Sequence, residues 1–172
     1  MNRRLLVYHA QCFDGAVSSA LAWDYFDATA PVESTELRPV GYDVRDRWLQ
    51  EVLPADSAVL DFLFHPGATF WADHHVTAFL TDESRILFEQ SSRTDWLYDV
   101  QAKSCAGLLY RHFSNQRSYR NPAFEDAVAW AERVDSADYD SVEEAVMPRA
   151  PAPAISMSFA VRRDPEYSAH LV

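Results

Sequence analysis

Trp71-Ala72-Asp73-His74-His75 is the stretch on which the reading of this 172-residue chain turns. An apolar run from Ala68 to Ala72 is followed at once by an acid and two histidines. The run has the length of a short buried strand. In an open α/β fold such a strand delivers its last residues to the carboxyl edge of the sheet, where ligands bind. Carboxylate oxygen and neutral imidazole nitrogen together suit divalent ions such as Mn, Fe or Zn. Alone, the triplet reads equally well as a solvated turn. Its meaning depends on what the rest of the chain sends to the same edge.

Upstream, Ser57 to Phe62 reads as a strand with Asp61 near its end. Arg3 to Tyr8 reads as another, ending at His9, and a short loop through Cys12 and Asp14 leads to a helix over Ala16 to Phe26. Gly15 stands where that helix begins, which permits a tight turn or a close backbone approach. Val32 to Val40 is a further strand. Val44 to Val52 has the pattern of a short helix, with Trp48, Leu49 and Val52 on one side. Downstream, Val76 to Leu80 reads as a helical turn, Arg85 to Phe88 as a fifth strand and Ser91 to Ala102 as a polar loop. Lys103 to Phe113 is a helix that Ser104 would cap. Phe124 to Val134 is another, with Asp135 and Asp138 at its end.

Strands that alternate with helices and read as continuous apolar runs predict an α/β fold, with a mostly parallel five-stranded sheet flanked by helices. Residues 1–147 form the expected domain. Residues 148–172, where Pro148, Pro151 and Pro153 alternate with alanines, read as a linker or tail.

Hydrophobic residues make up 48% of the chain, the composition of a folding sequence and not of a disordered one. No apolar run approaches the roughly 18–20 residues of a membrane span. The apolar run after Arg3 and Arg4 is too short for a signal peptide. Cys12 and Cys105 are the only cysteines and show no disulfide pattern, so a reducing, cytoplasmic setting is expected. The formal charge of −11 argues against a broad basic surface for nucleic acid. It leaves room for a nucleotide or short oligonucleotide, because carboxylates loaded with cations attract phosphate.

Metal-capable groups stand near the ends of three expected strands: His9 with Asp14, then Asp61, then Asp73-His74-His75. Parallel strands bring these to one edge, and Asp135 or Asp138 would reach it from a helix end. So many carboxylates repel one another without a counter-ion. Two divalent cations about 3.5–4 Å apart would relieve that repulsion, clamp a phosphate and generate hydroxide near neutral pH.

From Leu5 to Asp138 the chain resembles the DHH phosphoesterase superfamily. The resemblance is carried by His9-Ala10-Gln11-Cys12-Phe13-Asp14-Gly15, Val59-Leu60-Asp61-Phe62, Asp73-His74-His75 and Arg133-Val134-Asp135-Ser136, in that order. The form of the first motif is most similar to the oligoribonuclease and cyclic-nucleotide phosphodiesterase branch. The resemblance implies two divalent ions, Mn or Mg, and hydrolysis of phosphodiester bonds in short oligonucleotides or cyclic nucleotides. Pyrophosphatases and single-strand exonucleases of the same superfamily are the alternatives. By position, His9 would ligate one ion and Asp14 the other, with Asp61 bridging. His74 and Asp135 would complete the second site. His75 would lie beside the scissile phosphate, and Asp73 would ligate or orient its neighbours. Asp138 replaces Asp135 if the last motif slips by a helical turn.

Two features depart from the family. Cys12 occupies a position where an acid is usual. A thiolate there would suit a softer ion, but a small cysteine packing beside the site is the reading adopted. The glycine-rich C-terminal substrate-binding domain common in the family has no counterpart in this sequence, so either residues 148–172 lead to one outside this chain or the protein lacks it. Cys12 favours one further alternative, a degenerate DHH-fold binding module, against which the full set of acids and histidines speaks. Among lesser signals, the helix start at Lys103-Ser104 reads as an ordinary cap before a phosphate site. His65 reads as second to the metal set or as a turn residue, and His112 and His170 as surface. Trp23, Trp48 and Trp130 are expected in the core. Trp96 and Tyr98 are not expected to stack a base, and Arg162-Arg163 reads as a solvated end.

Overall fold

Five strands, β1 (Arg3–His9), β2 (Ser34–Val40), β3 (Ser57–Leu60), β4 (Phe70–Asp73) and β5 (Trp96–Tyr98), form one all-parallel sheet in the order β2-β1-β3-β4-β5. The computed structural model describes residues 2–147, 149–162 and 164–172; Pro148 of the expected linker and Arg163 of the basic pair lie outside the described residues. In register, Val7 of β1 lies between Arg38 and Val59, and Trp71 of β4 lies between Val59 and Trp96. This winding reverses direction between β1 and β3. In open α/β sheets the ligand crevice lies outside the carboxyl ends of the strands at that reversal.

Period-2 alternation divides the apolar runs between two cores. Leu6 and Tyr8 face one core with Leu60 and Ala72, while Leu5 and Val7 face the other with Val59 and Trp71. The first core is covered by α1 (Phe13–Thr29), α3 (Cys105–Gln116) and α4 (Glu125–Asp135), through Leu21, Leu109, Phe113 and Ala131. The second is closed by a 3-10 helix (Tyr42–Gln50) and the segment around Phe62 and Phe64. A sheet buried on both faces explains why its strands read as unbroken apolar runs. Among the described residues no helix is long and apolar enough to cross a membrane.

The structure corrects several expectations. Arg85 to Phe88 is not a strand but part of α2 (Asp82–Glu89). Thr81 caps this helix: the Ser84 amide donates to its hydroxyl at 3.1 Å, and the Thr81 amide donates back to the Ser84 hydroxyl. The fifth strand lies instead within the segment read as a polar loop. There Trp96 is buried and its indole N–H donates to the Ala68 carbonyl at 3.0 Å. Of the side chains placed on one face of the Val44–Val52 helix, Trp48 is buried and Val52 is 90% exposed, because the helix ends at Gln50. His112 is buried, accepting from the Arg117 guanidinium at 3.3 Å.

Between residues 149 and 172 lie two helices, α6 (Pro151–Val161) and α7 (Pro165–Leu171), following the short α5 (Val142–Val146). Pro151 and Pro165 occupy first-turn positions, where a missing N–H costs nothing. Phe159 packs in the first core, and the Ser168 hydroxyl donates to the Tyr8 hydroxyl at 3.2 Å. Phe159→Ala is expected to destabilise the whole fold by about 3 kcal/mol. Urea denaturation checks this, and an unchanged midpoint would mean that the segment does not dock.

Candidate metal centre

His9 ends β1, Asp61 follows β3 and Asp73 ends β4, so the carboxyl edge gathers all three. Asp61 turns the chain off its strand with φ of 52°, in the left-handed region, and its amide donates to the Ala72 carbonyl at 2.9 Å. That conformation costs on the order of 1 kcal/mol, and aspartate is among the few non-glycine residues that adopt it readily.

Asp14 reaches the same edge from the first turn of α1. Its carboxylate accepts from the Cys105 and Ala106 amides at 2.6 and 2.8 Å, and from the Ser18 hydroxyl at 3.3 Å. The N–H groups at the start of α3, which lack partners within the helix, thus meet a carboxylate of this chain. Ser104 caps that helix through the Gly107 amide at 2.9 Å, as the sequence suggests.

Asp73 organises the two histidines. One of its oxygens accepts from the His74 amide at 2.8 Å, the His75 amide at 3.3 Å and His75 Nδ1 at 2.8 Å. His74 Nδ1 donates to the Ala102 carbonyl at 3.0 Å, which orients the ring and directs Nε2 to the cluster. That Nε2 lies 3.2 Å from Asp135, 3.6 Å from Asp14 and 3.7 Å from Asp61. The Tyr98 hydroxyl donates to the His75 carbonyl at 3.0 Å and so ties the edge strand to the histidine loop.

The structure brings His9, Asp14, Asp61, Asp73, His74, His75 and Asp135 together. It does not bring Asp138, which pairs with Lys103 at 2.6 Å. Ligand-capable atoms lie within 4.8 Å of one another in three overlapping groups: His9, Cys12 and Asp61; Asp14, His74 and Asp135; Asp61, Asp73, His74 and His75. His65 belongs to none of them. It is buried against Trp48, and its Nδ1 accepts from the Gly67 amide at 3.0 Å, the role of a turn histidine. The Ala102 carbonyl, the Cys105 and Ala106 amides and the Tyr98 hydroxyl escape sequence reasoning. Three of these four are backbone groups that no side-chain motif marks.

A fit to divalent cations can be tested on unpartnered atoms. Both Asp61 oxygens are buried without a hydrogen-bond partner, as are His9 Nδ1 and His74 Nε2. A buried carboxylate left in that state costs several kcal/mol unless a cation meets it. Oxygen and imidazole donors match what such a cation requires, so the residues fit.

The electrostatics carry the same signature. Burial and the neighbouring Asp135 raise Asp14 to about 6, and burial with Asp14 and Asp73 pushes Asp61 well above the carboxylate range. Burial opposes charge on His74, but Asp135 and Asp14 prevail and raise it to about 9. The bond to Asp73 raises His75, while burial and His75 lower His9. Burial with Asp61 and Asp14 lifts the Cys12 thiol well above its ordinary value.

These directions fix how the cation-free protein responds to pH. A folded-state carboxyl raised to about 6 holds its proton after the unfolded chain has released it. Stability is therefore lost as pH rises from about 4 through about 6. The raised His74 contributes stability below its ordinary 6.5 that is lost as pH climbs through about 9. Thermal melts in chelator should show the midpoint falling from pH 5 to pH 9. Manganese should reduce that fall, since cations take the places of protons. A chelated protein that gains stability over this range would contradict the arrangement.

No family model matches the chain, and no curated protein matches it. Among solved structures it is similar to the pGpG-specific phosphodiesterase PggH from Vibrio cholerae, with a TM-score of 0.53 and 13% identity over 92% of this chain. The chain spans about half of that structure, 51% of its length. At this identity the likeness is one of fold.

Proposed function

We propose that residues 1–147 form the catalytic domain of a metal-dependent phosphoesterase of the DHH superfamily, which hydrolyses phosphodiester bonds in short oligonucleotides or cyclic nucleotides. The observation that carries this reading is Asp61: two buried, unpartnered oxygens at the β1/β3 reversal, with His9 on one side and His74 on the other. Bound there, two divalent cations, manganese or magnesium, would neutralise phosphate charge and make hydroxide available near neutral pH.

The chain's own residues have separate tasks. Asp61 bridges the two halves of the centre. His9 serves one half, and Asp14, His74 and Asp135 serve the other. The amides that hold Asp14 and the carbonyl that holds His74 aim these ligands before any cation arrives. Asp73 fixes the His75 ring, whose side chain is 30% exposed and so stands where a substrate phosphate can meet it. Bonded to Asp73, which raises its pKa above the ordinary value, His75 would stabilise negative charge developing on the phosphoryl oxygens.

The likeness to PggH, a phosphodiesterase specific for pGpG, supports a dinucleotide as the substrate to try first. The test is hydrolysis of pGpG, a cyclic dinucleotide and bis-p-nitrophenyl phosphate, with manganese and with chelator. Turnover that requires the cation is expected on at least one of them. Cation bound without turnover on any member of the panel would sink the enzymatic reading.

A further inference from the structure

The two cysteines are placed differently. Cys105 is fully buried in the first core and its thiol donates to the Ala72 carbonyl at 3.3 Å. Its role is packing. Cys12 belongs to neither core and is only half-buried. It sits immediately before α1, with Sγ inside the 4.8 Å cluster formed with a His9 nitrogen and an Asp61 oxygen. Cys12 therefore lies outside both cores and beside the candidate ligands. A second, independent observation bears on the same place. Asp61 is 0% exposed with both oxygens unpartnered, and His9 Nδ1, 3.6 Å from one of them, is unpartnered as well.

We propose that Cys12 is a thiolate ligand of the cation held by His9 and Asp61, which makes that half of the centre a His–Cys–Asp site selective for zinc, cobalt(II) or iron(II) over magnesium and manganese. The inference rests on the two-cation reading above and deepens it, since the two halves then differ in kind. Asp14, His74 and Asp135 offer one nitrogen and only oxygens besides, a set that manganese tolerates. Nitrogen, sulfur and oxygen donors together favour the softer ions, and the order of affinities among divalent metals runs the same way. Three protein ligands are also the number found in catalytic zinc sites, which keep a fourth position for water or substrate. The balance is simple: the Sγ–H bond breaks, an Sγ–metal bond forms, and the proton leaves to solvent.

Cobalt reports thiolate ligation directly, through a near-ultraviolet sulfur-to-metal charge-transfer band. The chelated, full-length protein is loaded with cobalt, its cobalt content measured by atomic emission, and its spectrum compared with those of Cys12→Ser and Cys105→Ala. Circular dichroism verifies that each variant is folded. Two cobalt ions per chain and a charge-transfer band are expected in the parent and in Cys105→Ala, and the band should vanish in Cys12→Ser. With zinc and manganese in competition, Cys12→Asp should shift the preference toward manganese by about 100-fold, at least as much as losing a supporting contact to a ligand does. Two bound cobalt ions without the band, or a band that survives Cys12→Ser, would overturn the thiolate assignment and leave the two-cation reading standing. A folded protein that binds no cobalt would overturn both.

Discussion

Asp61→Asn is expected to lower cation-dependent hydrolysis by about a thousandfold while leaving the fold intact. The estimate follows from several kcal/mol of charge stabilisation by the cations, at 1.36 kcal/mol for each factor of ten. Asparagine is the informative replacement because it keeps the size of the side chain and also accepts the left-handed backbone at this position, where φ is 52°. Alanine would confound the result with strain. The stability of the same variant should move the opposite way. In chelator the parent holds a buried carboxyl group that nothing satisfies, and replacing that ionisable group should stabilise the protein by on the order of 2 kcal/mol. In manganese the order should reverse. Urea denaturation with and without the cation, alongside turnover, reads both effects. Parental turnover in the variant would remove Asp61 from the centre.

Gly15→Ala should be nearly as damaging, though Gly15 bears no ligand. A Cβ at this position would lie 2.4 Å from the His9 carbonyl oxygen and 3.2 Å from the His9 Cβ. A backbone oxygen cannot swing aside, so α1 must withdraw from the end of β1, carrying Asp14 away from His9. Overpacking of this kind costs up to about 3 kcal/mol, or about 2–4 °C of melting temperature for each kcal/mol in a chain of this size. Activity should fall further than stability, because an ångström of displacement between ligands is enough to spoil a cation site. Gly107→Ala is the control. The atoms nearest its Cβ would all belong to the Glu132 side chain, which can move, although Arg111 pairs with it. Melting curves and cation titrations of the two variants should differ sharply. A Gly15→Ala protein with parental melting and cation affinity would show the close approach to be dispensable.

Much of this was legible in the sequence, and the failures share a cause. The strands that carry His9, Asp61 and Asp73 are buried on both faces, so their apolar runs stand out without any partner being known. Strand β5 has three residues and polar flanks, and only Trp71 beside it and the Ala68 carbonyl that its indole meets make Trp96 a core residue. Ile-Leu-Phe at 86–88 has strand-like composition, yet the capping pair Thr81 and Ser84 starts a helix that leaves Ile86 and Leu87 about half exposed. Local capping prevailed over composition there. The prolines of the last segment suggested a linker because their first-turn placement becomes visible only once Phe159 and Ser168 are seen to dock. At the centre, the acids and histidines were legible as residue types at strand ends. The groups that aim them were not, since a carbonyl at Ala102 or an amide at Ala106 exists at every position of every chain.

The hydroxyl pair between Ser168 and Tyr8 joins residues 160 positions apart and bears on how the protein is made. During synthesis Asp14, Asp61 and Asp73 emerge well before Asp135 and before α3 and α4, which complete the cover that α1 begins over Tyr8 and Leu60. A half-made chain therefore exposes its carboxylates together with the part of the sheet that α1 leaves uncovered, the kind of surface that chaperones hold. Closure of this face waits for α7 to reach β1, and such long-range contacts are slow to form. On the two-cation reading proposed above, docking of α7 would come first and cation binding second. Cation supply should then affect the activity of the finished protein far more than its yield.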